Sequence, residues 1–164
     1  AGATYALVGH SETRHIFGDS DEDVRKKFIA CLEVGLIPVL CLGETKEDAQ
    51  SGRRQYRLKK QLLIALDDLD LAEKKFFLAY EPVWAIGSGQ PCLPADVDDV
   101  FGWLRLELKK FTSTAVPILY GGSVDVNNVR SYTALPGVAG VLVGSASIQA
   151  NTFLSLIDRL SSSS

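Results

Sequence analysis

Glu81 sits where an apolar run, Phe76-Phe77-Leu78-Ala79-Tyr80, gives way to Pro82. A single carboxylate at a strand end is ordinarily just solvated. Here the residues that follow are Val83-Trp84-Ala85-Ile86, bounded by Pro82 on one side and by Gly87 and Gly89 on the other. A solvated loop has little use for a tryptophan and an isoleucine, so this stretch reads as an apolar lid beside a poised carboxylate. A second polar cluster, His10-Ser11-Glu12-Thr13-Arg14, follows the apolar run Tyr5-Ala6-Leu7-Val8-Gly9. Two further runs end in Gly121-Gly122-Ser123 and in Gly144-Ser145, where backbone N–H groups can approach an anion without hindrance from a side chain. Taken singly, His10 fits a hydrogen-bonded surface histidine, and each glycine pair fits a plain turn. Taken together, a base, an imidazole, a phosphate cradle and a lid suit proton abstraction next to a carbonyl. Glu81 would take the carbon-bound proton, His10 would polarise the carbonyl oxygen, and the loop would exclude water. This chemistry needs no metal and no cofactor.

The elements that must position these groups alternate between strand and helix. Ser20-Asp21-Glu22-Asp23 has the form of a helix start, with a helix through Val24, Phe28, Ile29 and Leu32 that stops at Gly35. Ile37-Pro38-Val39-Leu40-Cys41-Leu42-Gly43-Glu44 is a second apolar strand ending in Gly and an acid. The basic stretch 53–60 lies on a second long helix and reads as a solvated face, with Leu62, Leu63, Ile64 and Leu66 beyond it. Pro94 opens a helix through Val97, Val100, Phe101, Leu104 and Leu108, closed by Lys109 and Lys110. Strands over 116–120 and 138–143, a short helix over 126–134 and a last helix over 153–160 complete the series, with a polar tail at 161–164. Strand–helix repetition with strands apolar on both faces predicts an α/β fold with a parallel sheet. Every chemically interesting residue lies at a strand's C-terminal end, a pattern that a closed barrel and an open sheet share.

Length and composition narrow the class further. The chain has 164 residues and a formal net charge of −3, within the range of one soluble domain and without the basic footprint of a nucleic-acid binder. The apolar runs are strand-sized, so no membrane span is expected. Cys31, Cys41 and Cys92 are odd in number and lack zinc-site spacing, which predicts reduced thiols and a cytoplasmic setting.

The motifs resemble one family. Gly9-His10-Ser11-Glu12, Ala79-Tyr80-Glu81-Pro82-Val83-Trp84-Ala85-Ile86-Gly87, Tyr120-Gly121-Gly122-Ser123-Val124 and Val143-Gly144-Ser145-Ala146-Ser147 look like those of triosephosphate isomerase, in the family's order. The resemblance covers residues 1–160 and implies a partial (β/α)8 barrel, its fourth to eighth βα units. It implies an aldose–ketose isomerase interconverting dihydroxyacetone phosphate and glyceraldehyde 3-phosphate through an enediolate, in glycolysis and gluconeogenesis. Glu81 resembles the family's base, His10 its electrophile, and Glu12 an assisting residue in the same cluster. Gly87, Ser123, Gly144 and Ser145 would hold the substrate phosphate, and Tyr120 with Ser123 would latch the lid. Thr13, Ser145 and Gln90-Pro91-Cys92 depart from the family pattern, and Pro91 stiffens the lid's trailing hinge. The first three units, including a phosphate-holding lysine, are not in this chain, so the site is expected to be incomplete alone. Five strands without their opposite wall leave inward-facing apolar residues and sheet edges open, so a partner is expected: the N-terminal segment, or a second copy in a homo-oligomer. The alternative from another class is a non-catalytic half-barrel fragment or self-assembling structural module.

Overall fold

The computed structural model describes residues 2–86, 88 and 90–161. Five strands form one sheet: β1 Tyr5–Val8, β2 Ile37–Leu42, β3 Phe77–Tyr80, β4 Ile118–Tyr120 and β5 Val138–Val141. All neighbouring pairs are parallel, in the order β1-β2-β3-β4-β5, with an irregularity in the β4–β5 register between Ile118 and Leu119. A doubly wound sheet reverses its strand order at a switch point, whereas this order runs straight through. The fold is therefore the singly wound arrangement of a partial TIM barrel, and the choice left open by pattern falls to the barrel.

Each strand is followed by one or two helices: α1 Ser11–His15, α2 Asp21–Glu33, α3 Lys46–Gln50, α4 Arg54–Leu66, α5 Pro94–Leu108, α6 Val129–Thr133 and α7 Ala150–Ser161. Ser20 caps α2 as its sequence predicts. The Ser20 hydroxyl accepts the Asp23 N–H at 3.1 Å, and the Asp23 carboxylate accepts the Ser20 N–H at 3.2 Å. Pro94 occupies the first turn of α5, where its missing N–H costs nothing, and Val97, Val100, Phe101, Leu104 and Leu108 are all buried.

The second long helix is α4, and a short helix that the sequence reading does not name, α3, precedes it, started by a capping box of Thr45 and Asp48. Three expectations need correction. The basic stretch on α4 is not simply a solvated face, since Arg54 pairs with Glu44 at 3.1 Å and Arg57 with Asp21 at 3.0 Å. Leu63 points outward and is exposed, because the helical period that buries Leu62 turns its neighbour to solvent. The last helix starts at Ala150 and takes in Ser161, the first residue assigned to the tail; residues 162–164 lie outside the described residues.

Strand alternation divides the core in two. Leu40, Leu42, Leu78, Tyr80, Ile118 and Tyr120 face the helices and join the main core with Phe28, Leu62 and Phe101. Val39, Cys41 and Ala79 face the other way and form a smaller cluster with Phe77, Leu119 and Leu142. Tyr5 and Leu7, in register with Ile37 and Val39 on that second face, are 56% and 53% exposed. Cys41 and Cys92 are buried free thiols and Cys31 is half-buried and free. No helix among the described residues is long and apolar enough to cross a membrane.

Candidate active site

The C-terminal ends of the strands surround a cavity of about 480 Å³ lined by His10, Glu12, Glu81, Ser123, Gly144 and Ser145, with Ile86 and Gly121 among its other walls. The six described residues singled out from sequence thus meet in one place, although they are up to 135 positions apart (145 − 10). Gly87 lies outside the described residues. His15 is exposed on the far end of α1.

Glu81 is 2% exposed. Its backbone N–H continues the ladder by donating to Leu42 O at 2.7 Å, so the carboxylate leaves the sheet at a fixed point. Its Oε2 accepts the Ser11 N–H at 3.1 Å. Its Oε1 lies 3.3 Å from His10 Nε2 but makes no aligned hydrogen bond, which leaves one carboxylate oxygen free at the cavity wall. Burial pushes the Glu81 carboxyl above its ordinary range, against the opposing pull of His10, the Ser11 N–H, Cys41 and Arg14. A raised carboxyl is a stronger base when ionised.

His10 is oriented from its other nitrogen. As the N-cap of α1, its Nδ1 accepts the Glu12 N–H at 3.3 Å. An imidazole that accepts at Nδ1 carries its proton on Nε2, the nitrogen that faces Glu81 and the cavity. His10 is therefore placed as a neutral hydrogen-bond donor. Arg14 holds the turn that carries it, donating to Gly9 O at 2.7 Å and to Cys41 O at 3.3 Å while pairing with Asp21 at 2.6 Å. Burial pushes the Cys41 thiol well above its ordinary range, with the adjacent Glu81 adding to the effect. Cys41 is thus a packing group rather than a nucleophile.

The loops after β4 and β5 supply Gly121, Gly122, Ser123, Gly144 and Ser145 to the cavity. Asn128 donates to Ser123 O at 3.1 Å and accepts the Asp125 N–H at 2.9 Å, which braces the loop after β4. Ser145 opens a short 3-10 turn, Ser145–Ser147, and is exposed in the cavity mouth. Among the described residues that line the cavity there is no lysine or arginine. Gly121 packs directly against the carboxylate: a Cβ there would stand 2.8 Å from Glu81 Cγ and 3.4 Å from Oε1. Gly121→Ala is expected to lower unfolding stability by about 1–3 kcal/mol through this overpacking, read from the denaturant midpoint at constant m-value.

The apolar run after Pro82 is more anchored than a free cover would be. Ala85 is buried, and Trp84 donates its indole N–H to Glu44 at 3.0 Å; Ile86 is the member that reaches the cavity. Glu44 is fully buried and also receives the Tyr80 hydroxyl at 3.1 Å. At the other end of the loop, Cys92 is held by both backbone groups. Its N–H donates to Tyr120 Oη at 3.2 Å, and its carbonyl accepts from Tyr132 Oη at 2.6 Å, with the two rings stacked at 4.2 Å. Arg14, Glu44, Asn128 and Tyr132 were not assigned roles from sequence. Their signal is tertiary, because none lies at a strand end with a free side chain, and Glu44 is hidden by its own neighbours.

A buried carboxylate and an oriented imidazole at the strand ends of a singly wound α/β sheet define an acid–base site of the barrel type. The family model for triosephosphate isomerase matches residues 1–160, and the chain belongs to that family. It is 41% identical over 159 residues to the triosephosphate isomerase of Aquifex aeolicus (strain VF5), covering 95% of this chain and 64% of that protein. The triosephosphate isomerase of Chlamydia muridarum is 41% identical over 163 residues, covering 97% of this chain and 60% of that protein. That of Mycoplasmopsis agalactiae is 43% identical over 156 residues, covering 94% and 58%. The chain thus spans about three-fifths of the length of these relatives.

Proposed function

We propose that this chain carries the acid–base half of an isomerase that interconverts dihydroxyacetone phosphate and glyceraldehyde 3-phosphate. The observation that carries the reading is the pair formed by the free Oε1 of Glu81 and the Nε2 of His10, 3.3 Å apart at the edge of one cavity. Glu81 removes the proton from the carbon next to the carbonyl, and its electron pair moves into the forming enediolate. His10 Nε2–H donates to the oxygen on which negative charge develops. Glu81 then returns the proton to the neighbouring carbon while the hydroxyl proton passes to the former carbonyl oxygen by way of the imidazole. His10 gives its Nε2 proton to one oxygen and regains one from the other, which completes the exchange of aldose for ketose. Ser11 N–H holds the carboxylate until substrate displaces it, and Glu12 flanks the imidazole. The phosphate is received by the backbone of Ser123, Gly144 and Ser145, with Gly87 contributing from the loop.

The five units correspond on this reading to the fourth through eighth of the barrel, a placement that rests on the order of the sequence motifs around His10, Glu81, Ser123 and Gly144. Among the described residues lining the cavity there is no cation to offset the substrate phosphate, so on this reading a lysine from the earlier units, or a second copy, completes the site. The setting would be cytoplasmic glycolysis and gluconeogenesis. One observation favours a second reading, a self-associating half-barrel without turnover: the inward-facing Tyr5 and Leu7 are more than half exposed. A coupled isomerase assay separates the two. Turnover is expected when the chain is combined with a polypeptide carrying the remaining barrel units, and a folded, self-associated protein that stays inactive in that mixture supports the structural reading.

A further inference from the structure

Helix α4 carries a polar side chain into the core. Gln61 is 2% exposed and occupies the apolar stripe with Leu58, Leu62 and Ala65. An amide buried there costs free energy unless both of its ends are paired. Both ends meet a single residue: Gly43 N–H donates to Gln61 Oε1 at 3.0 Å, and Gln61 Nε2 donates to Gly43 O at 3.1 Å.

Gly43 lies at the centre of the strip that holds the base. Its neighbours on either side accept from the base's own segment, Leu42 O from Glu81 N–H at 2.7 Å and Glu44 O from Val83 N–H at 3.1 Å. Between those bonds the two backbones touch, because a Cβ on Gly43 would overlap the Glu81 carbonyl oxygen. A shift of the Gly43 peptide is therefore a shift of the Glu81 backbone. We propose that Gln61 is a positioning residue for Glu81, its amide locking the Gly43 peptide on which the base's main chain rests. This rests on the reading of Glu81 as the proton-transferring group.

The test compares the whole isomerase with three variants. Gln61→Met removes both bonds at similar length, Gln61→Glu keeps an acceptor for Gly43 N–H but loses the donor to its carbonyl, and Gln61→Asn keeps both groups one methylene short. The readouts are kcat, KM for the triose phosphate, and titration of the Glu81 carboxyl by ¹³C NMR, which needs no turnover. Glu81 is faced by His10, Arg14 and Cys41, so a displaced main chain moves its midpoint. Gln61→Met is expected to lower kcat by about 10- to 100-fold, with KM within about twofold and the Glu81 midpoint displaced. Gln61→Glu is expected to fall between Gln61→Met and the parent. If Gln61→Met does not fold, Gln61→Asn takes its place with the same criteria. A folded variant with the parent's kcat and Glu81 midpoint overturns the proposal, as does one that loses only thermal stability. A parent protein without turnover overturns the base assignment instead, and the Glu81 midpoint alone then decides the role of Gln61.

Discussion

Glu81→Gln is expected to lower isomerase turnover by about 10²- to 10⁴-fold and to raise the thermal midpoint at neutral pH. The two effects have one cause. Burial lifts the Glu81 carboxyl above its ordinary value of 4.5, so the native state favours its protonated form. Between 4.5 and the raised value the native protein binds more protons than the unfolded chain, and stability falls as pH rises through that window. Above the window the ionised Glu81 carries a burial penalty that the neutral glutamine of the variant lacks. The stabilisation should therefore be present at neutral pH, shrink as the pH drops through the window, and be gone below 4.5, where the carboxyl is protonated in both states. Scanning calorimetry across that range checks the stability arm and a coupled assay checks the other. A variant less stable than the parent at neutral pH would contradict the burial argument, even if activity is lost.

His10→Asn separates the helix cap from the chemistry. Asparagine is a good N-cap and retains an acceptor for the first turn of α1, so the thermal midpoint should change little. Its side chain is too short to present a donor where Nε2 stands, 3.3 Å from the Glu81 carboxylate. Loss of one preorganised donor to a developing oxyanion costs about 10²- to 10³-fold in kcat. Steady-state kinetics should show this loss in kcat with KM little changed, since the proposed phosphate contacts are made by Ser123, Gly144 and Ser145 and not by His10. A fall confined to KM would mean that His10 serves binding rather than the transition state.

Much of this arrangement was legible in the sequence because the chemistry lies at strand ends, and strand ends are marked locally. Glu81 closes an apolar run, His10 follows one, and Gly121-Gly122-Ser123 and Gly144-Ser145 end two more. The helix start at Ser20 was equally visible, since a capping box is written within four consecutive residues. Features decided by packing between distant segments were not legible. The short helix α3 depends on the cap formed by Thr45 and Asp48 and has too few residues to show a helical period of its own. Arg54 and Arg57 look like members of a solvated charge run until Glu44 and Asp21 are brought beside them. Trp84 suggested a cover because it is large and apolar, but its indole N–H finds the buried Glu44, which ties that end of the loop down. Gln61 left a faint trace, a polar residue on an otherwise apolar helical stripe, and its partner Gly43 is 18 residues away.

Proton exchange with solvent tests the central claim most directly. Triose phosphate is incubated in D₂O with the chain, or its Glu81→Gln variant, each combined with a polypeptide carrying the remaining barrel units, and deuterium at the carbon beside the carbonyl is followed by NMR. The account predicts rapid incorporation with the parent, and incorporation slowed by about 10²-fold or more with the variant. A Glu81→Gln variant that exchanges the carbon-bound proton as fast as the parent would contradict it, because the proton would then be passing through some other group.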